Sequence, residues 1–316
     1  MRYDHSRSLS RKVHYLLMNS LHGILPAAIT PFDAAGRFAP RVLEQLLDRL
    51  YGAGVDGTYL CGSTGEGMLQ PREQRQAVVE TAMACTPRGK HVIVHVGAAS
   101  LDEAMALSSH AARAGAHAIS SLPPTSAQFS FADVRRYYET LARRSDLPLL
   151  VYYFPEISAA IATAEQLEDL CSLPNVIGVK FTDFNLFRMA SLMQPGRSVF
   201  NGRDEVLAAG LLMGATGGIG TFYNVLPELF VRIDAAARSG QWDDARIAQQ
   251  RANALIRVTL QFPAFPAVKQ ILVWSGLECG ECLPPRGPLD ERQRRRLRDD
   301  LIAEGFDSLI ARAARA

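Results

Sequence analysis

Eight short apolar runs, rich in valine and isoleucine, recur along the 316-residue chain and alternate with segments of helical apolar spacing. Most of the runs are continuous rather than alternating, which predicts strands buried on both faces, as in a parallel sheet. Eight consecutive strand–helix units predict the α/β class and a closed (β/α)8 TIM barrel. The runs lie near residues 24–29, 57–61, 91–97, 116–122, 148–154, 176–182, 198–202 and 215–221.

A doubly wound open sheet is the alternative fold, but it usually carries a phosphate loop after its first strand, and none follows here. We expect residues 1–20 to form a loose N-terminal extension, or to precede a start at Met18. Residues 21–226 are predicted to form the barrel core. Residues 227–316 should add the last barrel helix and a C-terminal helical extension, packed in the same domain. The helices expected there are 227–239, 241–260, 264–277 and 289–312.

The charge balance argues against a polyanionic partner. Basic residues number 34 and acidic residues 32, so a net charge of +2 gives no field for nucleic acid or a membrane surface. No apolar run approaches the roughly 20 residues that span a bilayer, and Val13–Met18 is too short for a signal peptide. Five cysteines, an odd number, suit reduced thiols, so we expect a cytoplasmic protein.

Neither a metal nor a cofactor is expected. Cys279 and Cys282 have the spacing of zinc ligands, but no second cysteine pair or histidine pair accompanies them. No Walker A pattern occurs, and no GxGxxG opens a strand–helix turn, so nucleotide binding has no support.

A lysine interrupts the sixth apolar run near its carboxyl end, where the chain reads Val176-Ile-Gly-Val-Lys180-Phe-Thr-Asp183. In a barrel, reactive side chains gather at the carboxyl ends of the strands. A lysine amine can lose its proton and attack a carbonyl, whereas an arginine cannot. Lys180 is one of four lysines in the chain and a candidate nucleophile. The alternative is a lysine that reaches solvent from the strand end or pairs with Asp183.

The fifth run ends in Tyr152-Tyr153-Phe154-Pro155, one strand before Lys180. A tyrosine held beside a reacting atom can act as a general acid or base, so Tyr152 is a candidate for proton transfer. The alternative is a tyrosine that fills the core or the rim of the barrel.

The second run leads into the loop Gly62-Ser63-Thr64-Gly65-Glu66. Its glycines allow a sharp turn that leaves amides and two hydroxyls facing one point, which suits a substrate carboxylate. Ser63 and Glu66 also have the spacing of a capping box at a helix start, and both readings can hold together.

The last two runs end in acidic and glycine-rich stretches. Asp204 and Glu205 follow the seventh run and could accept hydrogen bonds from a polyhydroxylated chain, or serve as the first acids of a helix. The eighth run, from Gly217 to Thr221, is dense enough in glycine to suggest close approach by a ligand or another backbone.

Together these motifs resemble the N-acetylneuraminate lyase and dihydrodipicolinate synthase family of Schiff-base class I aldolases, from about Ile24 to Leu289. That family has a GSTGE or GTTGE loop, then Y-x-[IV]-P, then G-[LVI]-K about 28 residues later. Here Gly62–Glu66 reads GSTGE, and Lys180 follows Tyr152 by 28 positions. Three motifs in this order and at this spacing are far more specific than any one of them.

The resemblance implies pyruvate chemistry without a cofactor or metal. Lys180 would form a Schiff base with C2 of a 2-keto acid, and Tyr152 would relay the proton of the C4 hydroxyl as the C3–C4 bond breaks or forms. Ser63 and Thr64 would bind the carboxylate. Relatives in this family are usually homotetramers built as dimers of dimers, so a homotetramer is expected here.

Within the family, the sialic acid lyase branch is the better match. Ser63-Thr64 stands where the synthases usually have two threonines, and no arginine follows Pro155, where the synthases bind their second substrate. This branch implies reversible cleavage of N-acetylneuraminate to pyruvate and N-acetylmannosamine. The residues implied to hold the sugar chain are Thr182, Gly202, Asp204, Glu205, Gly220 and Thr221.

The chain departs from the lyase pattern in three places. Glu156 follows Pro155 in a stretch that lacks the usual glycine. Arg203 replaces a common tyrosine and could favour an extra anionic group on the substrate. The segment 123–128 lacks the tyrosine that many relatives insert into the neighbouring subunit's site. The alternatives are an aldolase or dehydratase of another 2-keto-3-deoxy sugar acid, a 4-hydroxy-tetrahydrodipicolinate synthase-like condensation, or a non-catalytic keto-acid-binding protein.

Overall fold

The computed structural model describes residues 21–123, 125 and 129–310. The predicted N-terminal extension, residues 1–20, lies outside the described residues. Within the described part of the chain, eight parallel strands pair in the order β1-β8-β7-β6-β5-β4-β3-β2. The strands are β1 (Gly23–Pro26), β2 (Gly57–Leu60), β3 (His91–His95), β4 (Ala118–Ser121), β5 (Leu149–Tyr153), β6 (Val176–Phe181), β7 (Ser198–Asn201) and β8 (Gly217–Gly220).

The barrel closes between β1 and β2 through a short junction rather than a full ladder. A single parallel bridge joins Ala27 to Tyr59. On either side of it, the Ala28 N–H donates to the carbonyl of Tyr59 at 2.9 Å, and the Asp56 N–H donates to the carbonyl of Ile24 at 2.9 Å. The prediction of a (β/α)8 barrel is therefore confirmed, and the open doubly wound sheet is wrong.

Two apolar clusters explain why the predicted strands are continuous apolar runs. One set of strand side chains packs against the surrounding helices, as Ile24 and Val179 do. The other set, which includes Leu25, Ile93 and Phe200, forms a separate cluster. Because successive residues of a strand point to opposite faces, this second cluster fills the inside of the barrel.

Helices follow the strands and surround the barrel. Pro40 opens the first of them at N1, and Thr163 caps the fifth through a capping box with Gln166. Among the described residues the helices are α1 (Pro40–Gly52), α2 (Arg72–Cys85), α3 (Leu101–Arg113), α4 (Phe131–Arg144), α5 (Ala164–Cys171), α6 (Leu186–Ala190), α7 (Leu207–Leu212), α8 (Pro227–Arg238), α9 (Trp242–Thr259), α10 (Ala264–Trp274) and α11 (Glu291–Ala303). None of them is long and apolar enough to cross a membrane.

Two of the predicted C-terminal helices extend too far. Helix α10 ends at Trp274 rather than at 277, and α11 ends at Ala303 rather than at 312. Each is followed two residues later by a glycine with positive φ, Gly276 or Gly305, a conformation that ends a helix. The proposed division between residues 226 and 227 stays a prediction.

Candidate active site

A cavity of about 160 Å³ lies at the carboxyl ends of the barrel strands. Side chains from the loops after several strands meet there, and residues that follow α9 add an apolar wall. The ten residues singled out from the sequence all line it: Ser63, Thr64, Tyr152, Lys180, Thr182, Gly202, Asp204, Glu205, Gly220 and Thr221. Residues that the sequence did not single out also line it: Ala27, Phe154, Ile219, Phe222, Leu260, Ala264 and Phe265.

Lys180 is buried at the cavity floor, with 4 % of its surface exposed. It is the register partner of Tyr152 on the neighbouring strand. Its Nζ lies 4.1 Å from the ring centroid of Tyr152 and 4.1 Å from that of Tyr59. No carboxylate of the described residues forms an ion pair with Lys180, and the side chain does not reach solvent. Both alternative roles, pairing with Asp183 and extension into water, are therefore wrong.

Tyr59 and His95 complete the surroundings of Lys180, and the sequence did not identify either of them. Tyr59 donates from its hydroxyl to Ser120 Oγ at 3.1 Å, and burial followed by repulsion from Tyr152 raises its pKa well above the usual value. His95 Nε2 accepts from the Leu122 N–H at 3.0 Å. Burial, then the charges of Arg75 and Lys180, lower the pKa of His95 well below its usual value. Neutral groups therefore surround the lysine.

The Ser63–Thr64 loop is fixed to the end of β8 and to the loop after β1. The hydroxyls of Thr64 and Thr221 lie 2.7 Å apart, which joins the loop after β2 to the end of β8. Thr30 Oγ1 donates to the carbonyl of Gly65 at 2.7 Å. A Cβ at Gly67 would lie 1.9 Å from the carbonyl oxygen of Cys61, so the turn requires glycine at this position.

Glu66 does not form the capping box with Ser63 that its spacing allowed. Its backbone is left-handed, with φ of 56°, and its carboxylate is turned toward the C-terminal helices. Oε1 lies 2.9 Å from Lys269 Nζ, and Oε2 accepts from the Leu283 N–H at 2.8 Å. Arg286 lies 3.4 Å from Oε2. Glu66 therefore anchors the loop to a distant part of the chain.

The other side of the cavity depends on two glycines. A Cβ at Gly202 would lie 2.2 Å from Thr182 Oγ1, and a Cβ at Gly220 would lie 2.1 Å from Asp204 Oδ1. Thr182 Oγ1 is buried and has no hydrogen-bond partner among the described residues. A buried hydroxyl without a partner costs free energy, so Thr182 has an unmet hydrogen bond at the cavity wall.

Asp204 opens a short 3-10 helix, but its side chain does not cap that helix. Its Oδ2 accepts from the Phe222 N–H at 2.7 Å, which ties it to the end of β8. Helix α9 fixes the backbone around it. Gln249 Nε2 donates to the carbonyl of Asp204 and Asn253 Nδ2 to that of Glu205, each at 2.9 Å. No sequence pattern predicts these two contacts, because they join residues more than 40 positions apart.

Three further expectations concern residues around the site. Arg203, which was expected to attract an anionic group, also lines the cavity and forms an ion pair with Glu156. Burial raises the pKa of Cys279 and of Cys282 to about 12, so both are neutral thiols near pH 7. The segment 123–128 includes residues 124 and 126–128, which lie outside the described residues.

Comparison with known proteins identifies the family of the chain. Residues 20–304 match the Dihydrodipicolinate synthetase family. The chain is 36 % identical over 281 residues to an N-acetylneuraminate lyase of Rhizobium meliloti, which covers 88 % of this chain and 94 % of that protein. An N-acetylneuraminate lyase of Salmonella typhimurium is 34 % identical over 281 residues, or 87 % of this chain and 94 % of that protein.

Solved structures show the same architecture. The sialic acid aldolase of Ruminococcus gnavus superposes with a TM-score of 0.85 at 25 % identity, over 93 % of this chain and 98 % of that one. A Clostridium difficile protein in complex with mannosamine superposes with a TM-score of 0.85 at 26 % identity, over 90 % and 99 % of the two chains. The family match over residues 20–304 and the relatives at 36 % and 34 % identity show that the chain belongs to the dihydrodipicolinate synthetase family.

Proposed function

We propose that this protein is a class I aldolase, a carbon–carbon lyase that reversibly cleaves N-acetylneuraminate to pyruvate and N-acetylmannosamine. The observation that carries the proposal is the buried Lys180 amine beside Tyr152, in a cavity whose wall also carries hydroxyl and carboxylate groups. The relatives named N-acetylneuraminate lyase support the choice of substrate.

The proposed reaction begins at the keto carbon. The Lys180 amine adds to C2 of the keto acid, and loss of water gives an iminium ion that accepts the electrons of the C3–C4 bond. Tyr152 relays the proton of the C4 hydroxyl as that bond breaks and the aldehyde leaves: its phenol oxygen accepts that proton while the phenol passes its own proton on, so that no net charge stays on Tyr152. The remaining enamine takes a proton at C3, and water then hydrolyses the iminium to release pyruvate and free Lys180.

The two sides of the cavity divide the substrate between them. Ser63 and Thr64 hold the carboxylate beside the keto carbon, where Thr64 is already positioned by Thr221. The rest of the cavity wall holds the sugar chain through the hydroxyl of Thr182, the backbones of Gly202 and Gly220, and the carboxylates of Asp204 and Glu205, with the Thr221 hydroxyl at the border with the carboxylate site. The Thr182 hydroxyl, which lacks a partner among the described residues, supports this assignment.

A coupled assay for pyruvate and a trapping experiment together test the proposal. N-acetylneuraminate should release pyruvate, and borohydride added with pyruvate should attach one pyruvyl-derived mass to the peptide that contains Lys180. Trapping without turnover of any sialic acid would favour another 2-keto-3-deoxy sugar acid, which a panel of such acids would identify. If borohydride traps no pyruvate and no sugar acid is turned over, the non-catalytic keto-acid-binding alternative remains.

The pH dependence of sugar binding should follow Asp204. Burial, and next the negative charge of Glu205, raise the pKa of Asp204 to about 7. The hydrogen bond from the Phe222 N–H lowers this pKa but does not offset them. The carboxylate that accepts hydrogen bonds is therefore populated as pH rises through 7. We expect the KM for N-acetylmannosamine, measured in the condensation direction, to fall by up to about tenfold between pH 6 and pH 8. The variant Asp204→Asn should lack this dependence, and an unchanged profile in it would contradict the assignment.

We also propose that the protein is a homotetramer, as is usual for relatives of this kind. Exposed apolar side chains near the ends of β2 and β4, Met68 and Phe129, suit a surface that another subunit covers. Sedimentation velocity at micromolar concentration tests this, and a monomer would contradict it. The cytoplasm remains our proposed compartment, supported by five cysteines that are all free, and cell fractionation tests it.

A further inference from the structure

Arg203 is held in place at the sugar side of the cavity by groups on three sides. Its guanidinium lies over the rings of Phe184, at 4.5 Å from the centroid, and Phe154, at 5.3 Å. Its Nη2 forms an ion pair with Glu156, the residue after Pro155. Two of the departures from the lyase pattern, Glu156 and Arg203, are therefore partners in space.

The burial of the two partners is unequal. The Arg203 side chain is 15 % exposed, so most of its charge is removed from water, whereas the Glu156 side chain is 62 % exposed. A largely buried guanidinium needs an anionic partner, and removal of that partner leaves a charge that attracts other anions. Glu156 is that anionic partner, and it approaches Arg203 from the solvent side.

An anionic group on the sugar chain would meet an unfavourable potential here. It would have to displace Glu156 from Arg203 and would also face the nearby carboxylates of Asp204 and Glu205, which line the same side. Hydroxyl groups meet no such barrier, because they can donate to carboxylates and accept from a guanidinium. The arrangement therefore disfavours a second negative charge on the substrate, contrary to the expectation from Arg203 alone.

We propose that Glu156 is a specificity-determining residue that keeps Arg203 paired and so restricts the aldehyde component to uncharged, polyhydroxylated chains, against phosphorylated or carboxylated ones. The proposal rests on the aldolase function proposed above and defines its substrate class. Phe154, which stacks on Tyr152 with centroids 6.1 Å apart, joins this pair to the reacting centre.

The test compares kcat/KM for condensation of pyruvate with N-acetylmannosamine and with N-acetylmannosamine 6-phosphate. The parent should prefer the neutral sugar. In Glu156→Gln, which frees Arg203, kcat/KM for the phosphorylated sugar should rise by at least about tenfold, while that for the neutral sugar stays within about threefold. High salt should reduce the gain, because it screens the freed charge.

Three variants serve as controls. Glu156→Asp keeps the charge and should keep the preference for the neutral sugar. The double variant Glu156→Gln/Arg203→Met should lose the gain toward the phosphorylated sugar. Glu228→Gln, an exposed acid on α8, makes the same change of net charge away from the cavity and should leave both values unchanged.

Two results would overturn the proposal: a parent that uses the phosphorylated sugar as well as the neutral one, or a Glu156→Gln variant with an unchanged ratio. A parent that traps pyruvate but does not use N-acetylmannosamine would refute the proposed substrate instead. In that case glyceraldehyde and glyceraldehyde 3-phosphate give the same comparison of neutral and anionic aldehydes, and the same two results decide it.

Discussion

Replacement of Lys180 by arginine should lower the rate of pyruvate release by on the order of 10³-fold or more. The substitution keeps a positive charge over the rings of Tyr59 and Tyr152, where Nζ now lies. A guanidinium does not lose its proton in a protein, so it cannot add to the keto carbon. A loss of this size would show that the amine acts as a nucleophile and not merely as a cation.

Controls separate this effect from a loss of folding. Lys90→Arg makes the same change in the turn before β3, at the opposite end of the barrel from the cavity, and should retain the full rate. Lys180→Ala, which avoids a larger side chain in a buried position, should be equally inactive and should not be trapped by borohydride. An active Lys180→Arg variant with a normal thermal transition would remove the covalent mechanism.

Replacement of Lys269 by methionine should lower the free energy of unfolding by about 3–5 kcal/mol. The side chains of Lys269 and Glu66 are 2 % and 0 % exposed, and they form an ion pair at 2.9 Å. Methionine has a similar length but leaves the Glu66 carboxylate in the interior, where Arg286, at 3.4 Å, is its remaining ion-pair partner among the described residues. Urea unfolding followed by circular dichroism measures the loss.

The double variant Glu66→Gln/Lys269→Met should recover much of that loss, because it also removes the buried charge. Arg143→Met, which removes an exposed ion pair with Glu139 on α4, should change the transition little. Lys269→Met should also raise the KM for pyruvate, because Glu66 anchors the loop that contains Ser63 and Thr64. A Lys269→Met variant as stable as the parent would show that the ion pair between Lys269 and Glu66 does not contribute substantially to stability.

The strands and the principal site residues could be predicted because each depends on local pattern. A parallel strand covered on both faces reads as an apolar run, and a side chain such as Lys180 stands out against it. The carboxyl ends of the strands meet at one face of a barrel, so residues that end different runs share one cavity. That rule predicts one shared cavity for Tyr152, Lys180 and Asp204, and all three line it.

The contacts between distant parts of the chain could not be predicted in the same way. The spacing of Ser63 and Glu66 fits a capping box, but the carboxylate pairs with Lys269 instead, some 200 residues later in the chain. Likewise, Arg203 alone suggested an anionic substrate, because nothing in the sequence shows that Glu156 neutralises it. Ion pairs of this kind depend on the final packing of the chain and produce no periodic pattern in the sequence.

The participation of the C-terminal segment in the cavity has a consequence for biosynthesis. Gln249 and Asn253 hold the loop that contains Asp204 and Glu205, and residues just beyond them, such as Phe265, line the cavity itself. A nascent chain could assemble all eight strands while these residues are still inside the ribosome. At that stage the barrel would lack part of its cavity wall, and the complete substrate site would form only late in translation.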